Sequence, residues 1–286
     1  MPYPGLNLET LLNQCQRISE FGLKVSVIER HAPHDKIVHA RPGRDEQIED
    51  IKTLIQNMGE AGIQTLCYNW MPDEDWMRTS FEATERGGAR VSSFDIKKQP
   101  VTPVDKGETT SADDLWANLE YFLKAILPIA EESNVNLALH PDDPPIPSLR
   151  GEDRIICSVE ALENAVSLVP SPANGICFCQ GTLAMAGIDI DKGIQRLAPY
   201  IKFVHFRDIR GTADHFQETF HDNGKTNMVS AMRTYLQAGF KGPMRPDHVP
   251  TLDGETNENP GSEMMGRLYA VGYMKGIMQA LGALEP

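Results

Sequence analysis

Four metal-capable side chains each close a short apolar run, and the four runs lie far apart in the chain. Asn136-Leu137-Ala138-Leu139 runs into His140, and Gly175-Ile176-Cys177-Phe178 runs into Cys179. Lys202-Phe203-Val204 runs into His205, and Gly242-Pro243-Met244-Arg245-Pro246 runs into Asp247. Two imidazoles, a thiolate and a carboxylate form a mixed N/S/O donor set that suits Mn2+, Fe2+ or Zn2+; Mg2+ does not choose a thiolate. An ion held this way keeps positions open for a substrate and acts as a Lewis acid. Taken singly, Cys179 reads as a packed core thiol, either histidine as a core or rim residue, and Asp247 as a turn cap. Their coincidence at four strand ends favours the metal. Cys177 lies on the same strand face two residues earlier and competes for the thiolate role; Cys179 is preferred because it is nearer the strand end and the Gln180-Gly181 turn.

Other groups stand close to this set. His248 follows Asp247, and histidine is the side-chain type suited to donating or accepting a proton near neutral pH, as a general acid or base does. Arg78, Arg207 and Arg245 have the planar fork that grips a substrate carboxylate in two places. Tyr68 and Asn69, with Trp70 after them, end another strand and would line a substrate pocket. Asp142 and Asp143 are expected to orient ligands or cap a turn. No phosphate-binding loop, dinucleotide glycine fingerprint or Gly-x-Ser-x-Gly elbow occurs.

The elements that must position these residues alternate between short apolar runs and longer amphipathic ones, as in a parallel sheet with crossover helices. Strands are expected at 23–29, 64–68, 136–140, 175–179, 202–206 and 243–245. Helices are expected at 8–21, 45–61, 113–133 (capped by Ser111), 158–169, 190–197, 228–238 and 262–281. The segment from about 69 to 110 reads as a long active-site loop with a hairpin near 89–95. The fold class is therefore α/β, a (β/α) TIM-type barrel over residues 1–286 in one domain. A closed barrel of this kind has eight strands, so the first two are expected to be missing, and the exposed sheet edges to be covered by a loop or another subunit.

Composition narrows the function class. The net charge is −13, from 40 acidic and 27 basic residues, and such a surface repels phosphate backbones, so no nucleic-acid partner is expected. No apolar run reaches the roughly 18 to 20 residues of a membrane span, and Met1-Pro2-Tyr3-Pro4-Gly5 is not a signal peptide. The five cysteines, at 15, 67, 157, 177 and 179, form no disulfide framework and fit a reducing compartment. A soluble cytoplasmic protein is expected, with no membrane partner and with a homo-oligomer left open.

These segments resemble the mannonate dehydratase family of the xylose-isomerase-like TIM-barrel class, in a short form lacking the N-terminal strands. The matching pieces are Cys67-Tyr68-Asn69-Trp70-Met71-Pro72, Asp75-Trp76-Met77-Arg78-Thr79 and His140-Pro141-Asp142-Asp143-Pro144-Pro145. They continue with Pro172-Ala173-Asn174-Gly175, Phe203-Val204-His205-Phe206-Arg207 and Arg245-Pro246-Asp247-His248. The resemblance implies that His140, Cys179, His205 and Asp247 hold Mn2+ or Fe2+ and that His248 is the catalytic acid–base group. It also implies a hydro-lyase of hexuronate catabolism that converts a small sugar acid, D-mannonate, to 2-keto-3-deoxy-D-gluconate. Three departures stand beside it: Ser262 occupies the place of a family tyrosine, with Tyr68 and Tyr269 the candidates to substitute; the N-terminal strands are absent; and the loop after Asn69 is shorter. Two other expectations follow. A metal-dependent isomerase or epimerase would give a product of unchanged mass, and a catalytically impaired relative would bind without turnover.

Overall fold

The computed structural model describes residues 7–29, 34–72, 76–99 and 109–284. Met1 to Gly5, Asp75 and residues 100–108 of the expected loop lie outside them.

Six parallel strands form the central sheet, in the order β1 (Val27–Ile28), β2 (Thr65–Tyr68), β5 (Asn136–Leu139), β8 (Asn174–Cys179), β9 (Ile201–His205) and β12 (Met244–Arg245). All six lie within a residue or two of their expected positions, except that β1 is confined to the end of its run. The sheet curls as the wall of a TIM-type barrel. Its end strands share no ladder among the described residues, yet Arg245 at the end of β12 and Glu29 after β1 approach to 2.5 Å. Between the strands run α3 (Arg44–Glu60), α4 (Ala112–Glu132), α5 (Val159–Leu168), α7 (Ile190–Leu197) and α8 (Met228–Gln237). They bury apolar stripes at helical spacing, such as Ile48, Ile51, Leu54, Ile55 and Met58 on α3. Ser111 caps α4, its hydroxyl accepting from the Asp114 N–H at 3.2 Å. The flanking helices are α1 (Leu8–Ser19), the one-turn α2 (Asp35–Val38) and α9 (Met264–Ala280). Among the described residues, no helix is long and apolar enough to cross a membrane.

Alternation along the strands separates two environments. Leu66, Leu137, Leu139, Ile176, Phe178 and Val204 face the helices and belong to the main core. The intervening Cys67, Ala138, Cys177 and Phe203, with Val27 beside them, form a separate apolar layer inside the curl.

Two features were not expected. A short α6 (Gln180–Met185) follows Cys179 directly where a turn was expected. The segment after Asn69 is not a loop throughout: β3 (Ser80–Thr84) and β4 (Arg90–Asp95) form its hairpin. They join β10 (Ile209–Thr212) and β11 (His215–Glu218) in a four-stranded antiparallel sheet ordered β10-β11-β4-β3. Phe94 and Phe216 stack within it at 5.7 Å. A small β6–β7 hairpin (Ser148–Leu149 and Glu152–Asp153) completes the list of strands.

Candidate metal centre and its pocket

Two residues beyond the inner apolar layer, on the same strand face, the chemistry changes. Val27 leads to Glu29, Cys67 to Asn69, Ala138 to His140, Cys177 to Cys179, and Phe203 to His205. Arg245 leads likewise to Asp247. A period of two therefore places polar groups from six strands in one ring at the C-terminal rim, where barrel sites form. Register adds to this: Cys179 and Arg245 are both strand partners of His205.

The four expected residues come together. His140 Nε2 is 3.2 Å from His205 Nδ1, which is 3.4 Å from Asp247 Oδ2. Cys179 Sγ lies 4.0 Å from the same Asp247 oxygen, and His140, Cys179 and His205 present donor atoms within 4.8 Å of one another. The ring nitrogens facing away are already engaged. His140 Nδ1–H donates to the Pro141 carbonyl at 2.6 Å, and His205 Nε2 meets Glu29 Oε1 at 3.0 Å. These outer contacts leave His140 Nε2 and His205 Nδ1 turned inward, the arrangement that tunes imidazole ligands. Asp247 adopts a left-handed backbone, φ +61°, and His221 Nε2 donates to the preceding Pro246 carbonyl at 2.8 Å, steadying the turn.

Electrostatics favour a cation here. Burial alone would raise the Cys179 thiol, but Arg207 and His140 outweigh it and hold it well below its ordinary value. Burial likewise opposes ionisation of Asp247, yet His205, His248 and Arg245 keep it strongly acidic. Desolvation would lower both imidazoles. Instead, Cys179 drives His140 up to about 9, and Asp247 and Glu29 drive His205 upward. The buried anions thus favour positive charge on both imidazoles, and a divalent cation fits by supplying that charge in place of protons.

Beside the ring lies a buried charge network. Arg78 pairs with Asp143 at 2.9 Å and Glu218 at 2.6 Å. Arg207 pairs with Asp143 at 2.8 Å, Glu218 at 3.0 Å and Asp247 at 2.6 Å. Glu218, from the antiparallel sheet, reaches His248 Nδ1 at 2.9 Å. Trp76 Nε1–H also points at that nitrogen, at 3.1 Å. A tryptophan N–H only donates, so neutral His248 accepts from Trp76 and protonated His248 donates to Glu218. Either way Nε2 remains for the pocket. Burial would raise the Glu218 carboxyl, but Arg207, His248 and Arg78 hold it at about 2.

The sequence as a whole points the same way. A family model described as D-mannonate dehydratase (UxuA) matches residues 6–108 and 97–285. The chain belongs to the D-mannonate dehydratase family. A mannonate dehydratase of Streptococcus pneumoniae is 34% identical, across 96% of this chain and 82% of that protein. One from Oceanobacillus iheyensis is 33% identical, across 92% and 83%. The crystal structure of mannonate dehydratase from Streptococcus suis superimposes with a TM-score of 0.88 at 34% identity, covering 98% of this chain and 85% of that one. A D-tagatose 3-epimerase-like protein shares the fold alone, with a TM-score of 0.62 at 16% identity.

Against that family pattern the remaining expected residues divide. All three arginines pair with the chain's own carboxylates, Arg245 with Glu29 and Asp247, but only Arg245 lines the pocket: its side chain is 36% exposed, against 0% for Arg78 and 1% for Arg207. Asn69 faces inward. Tyr68 borders the pocket, but its ring packs on Phe122 of α4 at 5.6 Å, the outward direction that strand alternation dictates. Burial raises its phenol far above the ordinary value, so it makes a poor proton donor. Tyr269 packs on Phe220 away from the pocket, its hydroxyl accepting from Arg86 at 2.9 Å. Neither phenol replaces the family tyrosine. Ser262 itself is exposed and follows Gly261, which packs beside Trp76 and His248.

Sequence reasoning missed Glu29, Trp76 and Glu218. Glu29 carries the same signal as the four, since it ends an expected strand. Glu218 carries none, because its strand was not foreseen.

Proposed function

We infer that this family member dehydrates D-mannonate to 2-keto-3-deoxy-D-gluconate, with His140, Cys179, His205 and Asp247 holding one divalent ion, Mn2+ or Fe2+, with Zn2+ also compatible. The observation that carries this reading is the convergence of those four donors in one pocket with His248 at its edge. When bound, the ion supplies Lewis acidity that lowers the cost of removing a proton α to a carboxylate.

The chain's own groups do the rest. Arg245, partly exposed where Arg78 and Arg207 are buried, pairs with the substrate carboxylate and sets its register. Asn69 offers hydrogen bonds to hydroxyls. Neutral His248 Nε2 takes the C2 proton, and as the C3–O bond breaks the imidazolium returns a proton to the departing hydroxyl, which leaves as water; the resulting enol tautomerises to the 2-keto product. Glu218 and Trp76 hold the other ring nitrogen, so the ring does not turn away. Asp247 Oδ1, 3.7 Å from Nε2, joins the acid–base group to the ligand set.

The test is anaerobic reconstitution with Mn2+ or Fe2+, followed by NMR of a hexonate panel. Loss of the C3 hydroxyl from D-mannonate is the expected result. A product of unchanged mass would reassign the chain to isomerisation, and intact substrates on a metal-loaded protein would end the enzymatic reading.

A further inference from the structure

The inner layer beneath the proposed catalytic ion holds two thiols that the dehydration does not use. Cys67 and Cys177 are 1% and 0% exposed. Their sulfurs and a ring nitrogen of His205 lie within 4.8 Å of one another. We propose that Cys67, Cys177 and His205 form a second metal site, one for a soft thiophilic cation such as Cd2+ or Zn2+, and that its occupation shuts down the upper site.

The fold explains how the sulfurs meet. β2 and β8 are not neighbours, because β5 runs between them. Ala138 of β5 is the strand partner of Cys67 on one side and of Gly175 on the other, so only a methyl and a hydrogen stand at that level, and Cys177, two residues beyond Gly175, reaches Cys67 on the diagonal. Sulfurs this close to one another and to the His205 nitrogen suit a bridging ion, since ligand atoms about 2.0–2.3 Å from a tetrahedral centre sit roughly 3.5 Å apart. Two sulfurs and one nitrogen leave a fourth position for water, and thiolates select soft ions over Mn2+. On binding, each thiol releases its proton to solvent. The way in exists, because Cys67 lines the same pocket as His140, His205 and Asp247.

His205 is common to both sites. Two dications sharing one imidazole repel strongly in a buried setting, so the lower ion displaces the upper one. The inhibitory part of this proposal rests on the dehydratase reading; the cation-binding part does not.

The experiment is a Cd2+ titration of Mn2+-loaded protein, following the ultraviolet thiolate-to-cadmium charge-transfer band, released Mn2+ and D-mannonate turnover. The expected result is a band of two-thiolate intensity, release of Mn2+ and loss of turnover. Cys67→Ala and Cys177→Ala should each halve the band and weaken Cd2+ binding roughly tenfold or more, with Mn2+ content retained in both and turnover retained in Cys177→Ala. Two variants on different strands guard against one of them misfolding. A band that both variants leave unchanged and that only Cys179→Ser removes would place Cd2+ in the upper site and overturn the proposal, as would the absence of any band. If the protein turns over nothing, the band and the Mn2+ release still decide the matter.

Discussion

Cys179 and Cys177 share a strand face but differ in what surrounds them. Arg207 and His140 lie against Cys179, whereas burial and the neighbouring Cys67 raise the Cys177 thiol well above its ordinary value. Cys179→Ser should therefore lose most bound Mn2+ and Cys177→Ser should keep it, as measured by metal analysis after desalting. The reverse result would move the thiolate down one layer. His248 is held from behind by Glu218, so the two variants should differ in degree. His248→Asn should lower kcat about 100-fold or more, the scale of a lost general acid. Glu218→Gln should cost less, with Mn2+ content unchanged; a kcat unaffected by either change would remove the acid–base assignment. Ser262 follows a glycine packed by His248, so Ser262→Tyr should raise kcat if the missing phenol limits the rate, and steady-state kinetics on D-mannonate reads this directly.

At the scale of elements, α6 matters more than its length suggests. It begins directly after Cys179, and the Thr182 hydroxyl in its first turn donates to the Cys179 sulfur at 3.2 Å. A Cβ on Gly181 would come within 2.5 Å of Arg207 Nη1. The arginine cannot yield, because Asp143, Glu218 and Asp247 hold it. Gly181→Ala should destabilise the protein by about 1–3 kcal/mol, the range of overpacked cores, and weaken Mn2+ binding through Cys179. Thermal melting and metal analysis would show both effects, and a variant indistinguishable from wild type would mean that Arg207 is not locked. This helix escaped notice because a short run containing glycine looks like a turn by local propensity. The antiparallel sheet escaped for a related reason. Its strands are short and polar on one face, and their pairing joins residues 80–95 to residues 209–218, which no local pattern announces.

For the whole molecule, the buried charges set the response to acid. Glu218 holds its folded value near 2 against an ordinary 4.5, and Asp143 is depressed in the same direction: burial raises it, but Arg78 and Arg207 prevail. Carboxyls depressed on folding contribute stability that is complete above their unfolded values and lost as pH falls through the folded ones. Melting of the Mn2+-free protein should thus vary little with these groups above about pH 4.5, and its midpoint should fall steadily from there toward pH 2. A midpoint flat across that interval would show that the network is not formed in solution. The same network also links the two sheets, since Arg78 and Glu218 come from the antiparallel one and Arg207 and Asp143 from the barrel rim.

The amino-acid sequence on its own determined the six parallel strands and the four metal-capable side chains at their ends. Both follow from local rules, apolar runs of strand length and a side-chain period of two. The same period already implied that Tyr68 faces outward and that Glu29 joins the ring. Only the tertiary structure decided which charges pair. Arg78 and Arg207 are drawn to Asp143 and Glu218, while Arg245 stays partly open, because the curl of one sheet and the placement of another bring distant residues within a few ångströms. Coulomb forces between buried groups act across space and not along the chain.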